Sequence, residues 1–217
     1  MAWTLYIGNK AYSSWSMRPW LLMRHFDIPF TDETIPLRQP TTSQEIQRHS
    51  PTGKVPALAA DGVLVWESLA ILEFVAERFP DKAVWPVDAE ARALARSLAA
   101  EMHAGFQGLR QACPTNFRRQ QRAIGISDDV RRDVERIEAA WASARSRFGQ
   151  GGPFLFGAFT AADAMFAPVV NRFWSYAIPV QPETQAYMDA VMALPAWKAW
   201  TDGARAETWV IDQFEAI

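Results

Sequence analysis

Short apolar runs separated by glycine- or proline-bearing breaks fill the chain as far as Pro80; beyond it, apolar residues recur at helical spacing. Trp3 to Ile7 predicts a strand, and GNKAYS leads into a helix expected from about Met17 to Phe26, stopped by Asp27-Ile28-Pro29. Phe30 to Ile35 predicts a second strand. Pro36, Pro40, Pro51 and Pro56 punctuate the irregular stretch that follows, which has room for one short helix. Ala57 to Ala59 and Val63 to Val65 flank Ala60-Asp61-Gly62, the pattern of a β-hairpin. From Glu67 to Phe79 the residues Leu69, Ala70, Leu72, Phe74, Val75 and Phe79 return near helical spacing, and Pro80 ends the segment. The order β-α-β-(short helix)-β-β-α combines a crossover with a hairpin, so residues 1–80 are expected to form an α/β unit on a mixed sheet.

Residues 81–88 read as a linker, and 89–217 as an all-helical domain. Ala91, Leu94, Leu98, Met102, Phe106 and Leu109 step along one helix face, and Val130, Val134, Ile137, Trp141 and Phe148 along the next. GQGGPFLFGAF interrupts the pattern. Thr160 and Asp163 then form a capping-box signature ahead of an apolar helix expected at the domain centre, a folding cap with no catalytic part. No internal repeat is visible.

Composition narrows the classes. The 217 residues are 49% apolar and 12% aromatic, ample for a packed core. With 22 basic and 24 acidic residues the net charge is −2, which gives no footprint for nucleic acid or an anionic membrane. The opening MAWTLYIGNK lacks the pattern of a secretory signal and no apolar run approaches the ~20 residues of a membrane helix, so a soluble cytoplasmic protein is expected. One cysteine, Cys113, excludes an internal disulfide and reads as a buried apolar residue. His25, His49 and His103 have no zinc-ligand spacing, and no metal is expected. His103 reads as a solvated helix position, and Arg118, Arg119 and Arg122 as a solvated basic loop.

SSWSMRPW sets three serines at the start of a helix, where unpaired N–H groups and the helix dipole favour an anion. Serines there are ordinary caps, and the stretch gains meaning from its company. SSWSMR resembles the SSCSWR signature of zeta-class glutathione transferases, GKVPAL the loop before that family's third strand, and WESLAILEFV its turn into the third helix. The chain is thus similar to the cytosolic glutathione transferases over most of its length, with wording nearer a bacterial branch than zeta enzymes proper. The resemblance implies a thioredoxin-like α/β N-terminal domain with a mixed four-stranded sheet, followed by an all-α C-terminal domain. It also implies glutathione as co-substrate, a homodimer and an electrophile pocket between the domains.

On that resemblance Ser13, with Ser14 as the alternative, would hold a glutathione thiolate as a hydrogen-bond donor. The dipole offers about 0.3–1 kcal/mol, up to ~2 when partly buried, and a hydroxyl bond to a charged group about 1.5–3. A net ~2.7 kcal/mol would lower a thiol near pKa ~8.5 by about two units. The family pattern gives Ser13, Trp15, Ser16, Lys54, Val55, Pro56, Glu67 and Ser68 glutathione-binding roles. Val55 would pair its backbone with the cysteinyl part, and Glu67 would face the ligand's ammonium. Taken alone, Val55-Pro56 is expected to be trans; the resemblance implies cis. Trp15, Met102, Phe106, Asn116, Phe117 and Trp174 are the candidates to line the pocket for a small hydrophobic electrophile. Trp15 stands where the zeta motif has cysteine. That favours conjugation over zeta-type cis–trans isomerisation of maleyl compounds, and a non-catalytic scaffold is the alternative of another class.

Overall fold

The computed structural model describes residues 3–217; Met1 and Ala2, part of the opening stretch read for a leader, lie outside the described residues. The first unit runs β1 (Trp3–Ile7), α1 (Ser14–His25), β2 (Phe30–Thr34), α2 (Thr42–His49), β3 (Ala57–Ala60), β4 (Val63–Trp66) and α3 (Ser68–Arg78). Its sheet has the order β2-β1-β3-β4. β1 and β2 pair in parallel with Trp3 opposite Phe30, while β3 lies antiparallel to both β1 and β4. Parallel neighbours need a crossover, here α1; β3 and β4 need only Asp61-Gly62, whose φ values of 51° and 80° make the two-residue turn that matches strand twist. Trp3, Leu5 and Ile7 are buried, whereas Tyr6 on the other face stacks on His49 of α2 at 3.9 Å.

α1 begins earlier than the pattern predicts. Ser13 is its N-cap, its Oγ accepting the Ser16 N–H at 3.3 Å, so Ser14 and Ser16 belong to the first turn instead of preceding the helix. Pro19 therefore falls in the helix interior, and its missing N–H leaves the Trp15 carbonyl without the usual partner. Burial holds the helix nonetheless: Met17, Leu21, Leu22 and Met23 are wholly enclosed.

The second unit comprises α4 (Ala89–Ala104), α5 (Gln107–Ala112), α6 (Asp128–Phe148), α7 (Ala161–Ser175), α8 (Pro182–Ala193), α9 (Pro195–Ala206) and α10 (Asp212–Glu215). The stripe from Ala91 to Leu109 is split between α4 and α5, because Gly105 is extended and Phe106 takes φ +62°. α7 is the central helix, buried at every position except Trp174. Its capping box is present. Asp163 accepts from the N–H and hydroxyl of Thr160 at 2.8 and 3.0 Å, and from Leu155 N–H and Tyr187 Oη, both at 3.1 Å. Burial pushes its carboxyl up to about 6 despite those four donors. α1 packs on α7 and α9, which joins the units along one face of the sheet domain. No described helix is long and apolar enough to cross a membrane, and no group of three metal-ligating side chains occurs among the described residues.

Candidate functional site

Two adjoining cavities open where α1 meets the loop before β3. The larger, about 770 Å³, is lined by Tyr12, Ser13, Ser14 and Trp15 on one side and by Lys54 and Val55 on another. The smaller, about 310 Å³, is lined by Trp15, Thr52, Lys54, Val55, Pro56, Glu67 and His103. Trp15, Lys54 and Val55 are walls of both. The Val55-Pro56 peptide is cis. Among the described residues nothing pairs with the backbone N–H or C=O of Val55, which leaves one donor and one acceptor beside the cavities.

Ser13 and Ser14 are each 6% exposed, and both reach the larger cavity. Ser13 Oγ donates to Ser16 Oγ at 2.8 Å. Ser16 itself is completely enclosed and lines neither cavity, so the direct binding role expected for it is corrected. Glu67, at φ +67°, caps α3 from the smaller cavity, with its carboxylate 3.6 Å from His103 Nε2. Behind it Ser68 is wholly buried at the helix start with its Oγ unpartnered among the described residues, and it lines neither cavity, so the direct side-chain role expected for it is corrected as for Ser16. His103 is not a solvated helix position. It faces the smaller cavity, stands edge-on to Trp15 at 5.1 Å, and is pushed below its ordinary pKa by burial and by Arg18.

Of the six residues expected in an electrophile pocket, Trp15 alone lines either cavity. Met102 and Phe106 are buried in the helical core, and Phe117 packs on Trp197 at 5.4 Å. Asn116 is buried, its Nδ2 donating to the carbonyl of Phe214 at 3.3 Å. Trp174 borders a separate cavity of about 280 Å³. Aromatic and amide residues at helical spacing fill a bundle as readily as a cleft, and here most of them face the bundle. The basic loop is not simply solvated either: Arg119 lies over Tyr176 and donates to the carbonyl of Ile217, while Arg118 donates to the carbonyl of Glu207 at 2.6 Å. Cys113 is buried and its thiol is pushed up to about 11 by desolvation, as an inert apolar residue should be.

The larger cavity has walls that the sequence pattern did not mark. Leu37, Ile46, Pro114, Ile211, Phe214 and Ile217 make it apolar, yet Arg110 and Arg172 also reach it. Arg172 is almost fully buried, its Nε on the Cys113 carbonyl at 2.8 Å, and burial together with Arg110 lowers it to about 9. Arg18 is enclosed behind Trp15, its two terminal nitrogens unpartnered among the described residues. The Cζ atoms of Arg18 and Arg110 lie 4.2 and 4.7 Å from the Trp15 ring, so two guanidinium groups fix that indole. None of the three arginines forms an ion pair with a described carboxylate. The site is a cavity of net positive potential whose serine hydroxyls face it from a helix start.

A profile described as the N-terminal domain of glutathione S-transferase matches residues 12–78, and one described as its C-terminal domain matches residues 127–203. A maleylacetoacetate isomerase of Rattus norvegicus is 32% identical over 48% of this chain and 49% of its own; the chain spans about half the length of the curated relatives it matches first. A glutathione S-transferase, GstA, of Escherichia coli O157:H7 is 29% identical over 66% of this chain and 68% of its own. Among solved structures, a glutathione transferase homologue from Burkholderia gl BGR1 with bound glutathione is 27% identical, with a TM-score of 0.71 over 95% of this chain and 100% of that one. With both domain profiles matched in order and the same two-unit fold, this chain belongs to the glutathione S-transferase family.

Proposed function

We propose that the protein is a glutathione-dependent transferase in which the Ser13 hydroxyl donates to the thiolate of bound glutathione, activating it for attack on an electrophile in the larger cavity. The observation that carries this reading is the convergence on one cleft of Ser13 and Ser14, the unpaired backbone of Val55, and Glu67 at the start of α3. The start of α3 behind Glu67 suits the γ-glutamyl carboxylate through its helix N-terminus, and Glu67 the ammonium beside it. Lys54 would meet the glycyl end. Each role uses a group that otherwise lacks a partner or faces open space. In the reaction the sulfur forms a bond to the electrophilic carbon, the leaving group departs with its electron pair, and Ser13 keeps its own proton throughout.

The acceptor in this reading has an apolar body and an anionic group. The apolar wall matches the small hydrophobic electrophile expected from the sequence; Arg110 and Arg172, without carboxylate partners, add the demand for negative charge. The same arginines favour a second reading, glutathione-dependent cis–trans isomerisation of a maleyl compound, in keeping with the name of the rat relative. A homodimer fits the apolar residues Val63, Leu64 and Trp66 left exposed on the edge strand β4.

Titration calorimetry with glutathione tests the first step: saturable binding is expected, and no heat would leave a non-catalytic scaffold as the better account. Incubation with glutathione and a panel of chloro-acids and maleyl acids, followed by NMR, separates the two chemistries. A thioether product means transfer, whereas a trans product with glutathione unspent means isomerisation. Sedimentation equilibrium reads the oligomeric state.

A further inference from the structure

Ser16 does not touch the cleft, yet two hydrogen bonds tie it to the hydroxyl that does and a third ties it to Gly8. Its Oγ accepts the Gly8 N–H at 3.0 Å and the Ser13 hydroxyl at 2.8 Å, while its own N–H donates to Ser13 Oγ at 3.3 Å. Ser16 is completely enclosed, so no solvent competes for these bonds. Gly8 follows the end of β1, and Ser13 is further anchored by its N–H on the Asn9 carbonyl at 2.8 Å. The sheet thus holds Ser16, and Ser16 holds Ser13.

In the free protein, then, the Ser13 proton points inward to Ser16 and is not available to the cleft. A hydroxyl has one donor and two acceptor sites. We propose that Ser16 is the positioning residue for Ser13, through a hydrogen bond that reverses when an anionic sulfur occupies the cleft. Ser13 turns its O–H to the sulfur, and the Ser16 side chain turns slightly so that its own hydroxyl donates to Ser13 Oγ in place of accepting from it. No proton changes its oxygen; two O–H bonds rotate. Ser13 Oγ then accepts from both the hydroxyl and the N–H of Ser16 while donating outward, and Ser16 continues to accept from Gly8. The chain Gly8 N–H, Ser16 O–H, Ser13 O–H runs head to tail toward the sulfur, and each link polarises the next. Ser14 has no such support: its side chain makes no hydrogen bond among the described residues, so the arrangement selects Ser13 over Ser14.

This inference rests on the thiolate reading above, and its test separates the two. Ultraviolet absorbance of protein-bound glutathione is titrated against pH for the unmodified protein and for Ser13→Ala, Ser16→Ala, Ser16→Cys and Ser16→Thr. Ser16→Cys nearly preserves volume while offering a poor donor, and it serves if Ser16→Ala does not fold. Ser16→Ala or Ser16→Cys is expected to raise the thiolate pKa by about half a unit to one unit, the scale of one neutral hydrogen bond, with glutathione affinity changed less than about twofold. Ser16→Thr, which keeps a hydroxyl, restores the original value. Ser13→Ala raises the pKa further, and adding Ser16→Ala to it has no additional effect. If Ser16→Ala and Ser16→Cys leave the titration unmoved while Ser13→Ala shifts it, the positioning role is wrong and the thiolate reading stands. If Ser13→Ala shifts nothing, or glutathione does not bind at all, both fall together.

Discussion

Single residues show most directly how this chain couples burial to charge. Arg110 reaches the larger cavity without a direct ion pair to a described carboxylate; burial lowers its pKa and Asp133 only partly opposes that, so a ligand anion would improve its surroundings. Arg110→Met is therefore expected to raise KM for a carboxylate-bearing acceptor by roughly ten- to a hundredfold, the worth of one hydrogen bond to a charged group, and to leave KM for its methyl ester unchanged. Parallel kinetics on acid and ester check this; equal losses on both would mean that Arg110 only supports the fold. Asp163 makes the complementary case. Its folded pKa is raised from 3.8 to about 6, so the fold favours the protonated form. That contribution is full below the unfolded value near 4 and is lost as pH rises through about 6, amounting to ~3 kcal/mol for a shift of about two units. Urea unfolding of the native protein and Asp163→Asn should show their stability difference changing by that amount between about pH 4 and pH 7, against the native protein at the higher pH. A constant difference would contradict it. Neither Arg110 nor Arg172 was legible in the sequence as a cavity residue. Arg110 and Arg172 sit on α5 and α7, far apart along the chain, and an arginine in an amphipathic helix looks the same whether it meets solvent or a cleft.

Elements were more legible where local rules determine them. The four strands and α3 follow from short apolar runs, turn residues and one proline stop, all acting within a few positions. The hairpin was visible because Asp61-Gly62 is the chemistry that a primed two-residue turn requires. Boundaries were less legible. α1 starts at Ser14 with Ser13 as its cap, and the burial of neighbours such as Met17 and Leu21 offsets the cost of carrying Pro19 within the helix, a tertiary effect. α4 ends at Ala104 because Phe106 adopts a left-handed conformation that an apolar stripe cannot announce. Two glycines separate backbone freedom from space. Gly62, at φ +80°, has nothing within 4 Å of where a Cβ would sit; Gly157, at the same φ, would place a Cβ 2.3 Å from the Gln150 carbonyl oxygen. Gly62→Ala should then cost about 1–2 kcal/mol, the price of a left-handed conformation alone, and Gly157→Ala distinctly more. Thermal unfolding of both variants tests the ordering.

At the scale of the whole molecule, residues 207–217 complete the cleft by crossing back to the first unit. The Glu207 carboxylate accepts the backbone N–H groups of Lys10 and Ala11 at 2.7 and 3.0 Å, and Tyr12 Oη donates to Glu215 at 2.6 Å. Phe214 packs against Tyr12 with ring centroids 5.8 Å apart, and Ile211, Gln213, Phe214 and Ile217 form one wall of the larger cavity. The helical unit thereby supplies one wall of the larger cavity while the sheet unit supplies the serines and Val55, and no helical periodicity could name that wall. Tyr12 is pushed up to about 12 by burial and by Glu215, so it remains protonated and serves as a strut at neutral pH. Because this segment lines the larger cavity and not the smaller, the proposed function predicts that shortening its side chains changes acceptor selectivity without touching glutathione. Phe214→Ala is expected to leave the glutathione dissociation constant within about twofold while shifting KM toward bulkier acceptors, by about threefold to thirtyfold for an aromatic contact area partly removed from water. The comparison must pair a slim and a bulky acid carrying the same reactive group, since a uniform change would report only a looser wall. An equal rise in KM for both, or weakened glutathione binding, would place Phe214 in the packing of Tyr12 rather than in recognition of the acceptor.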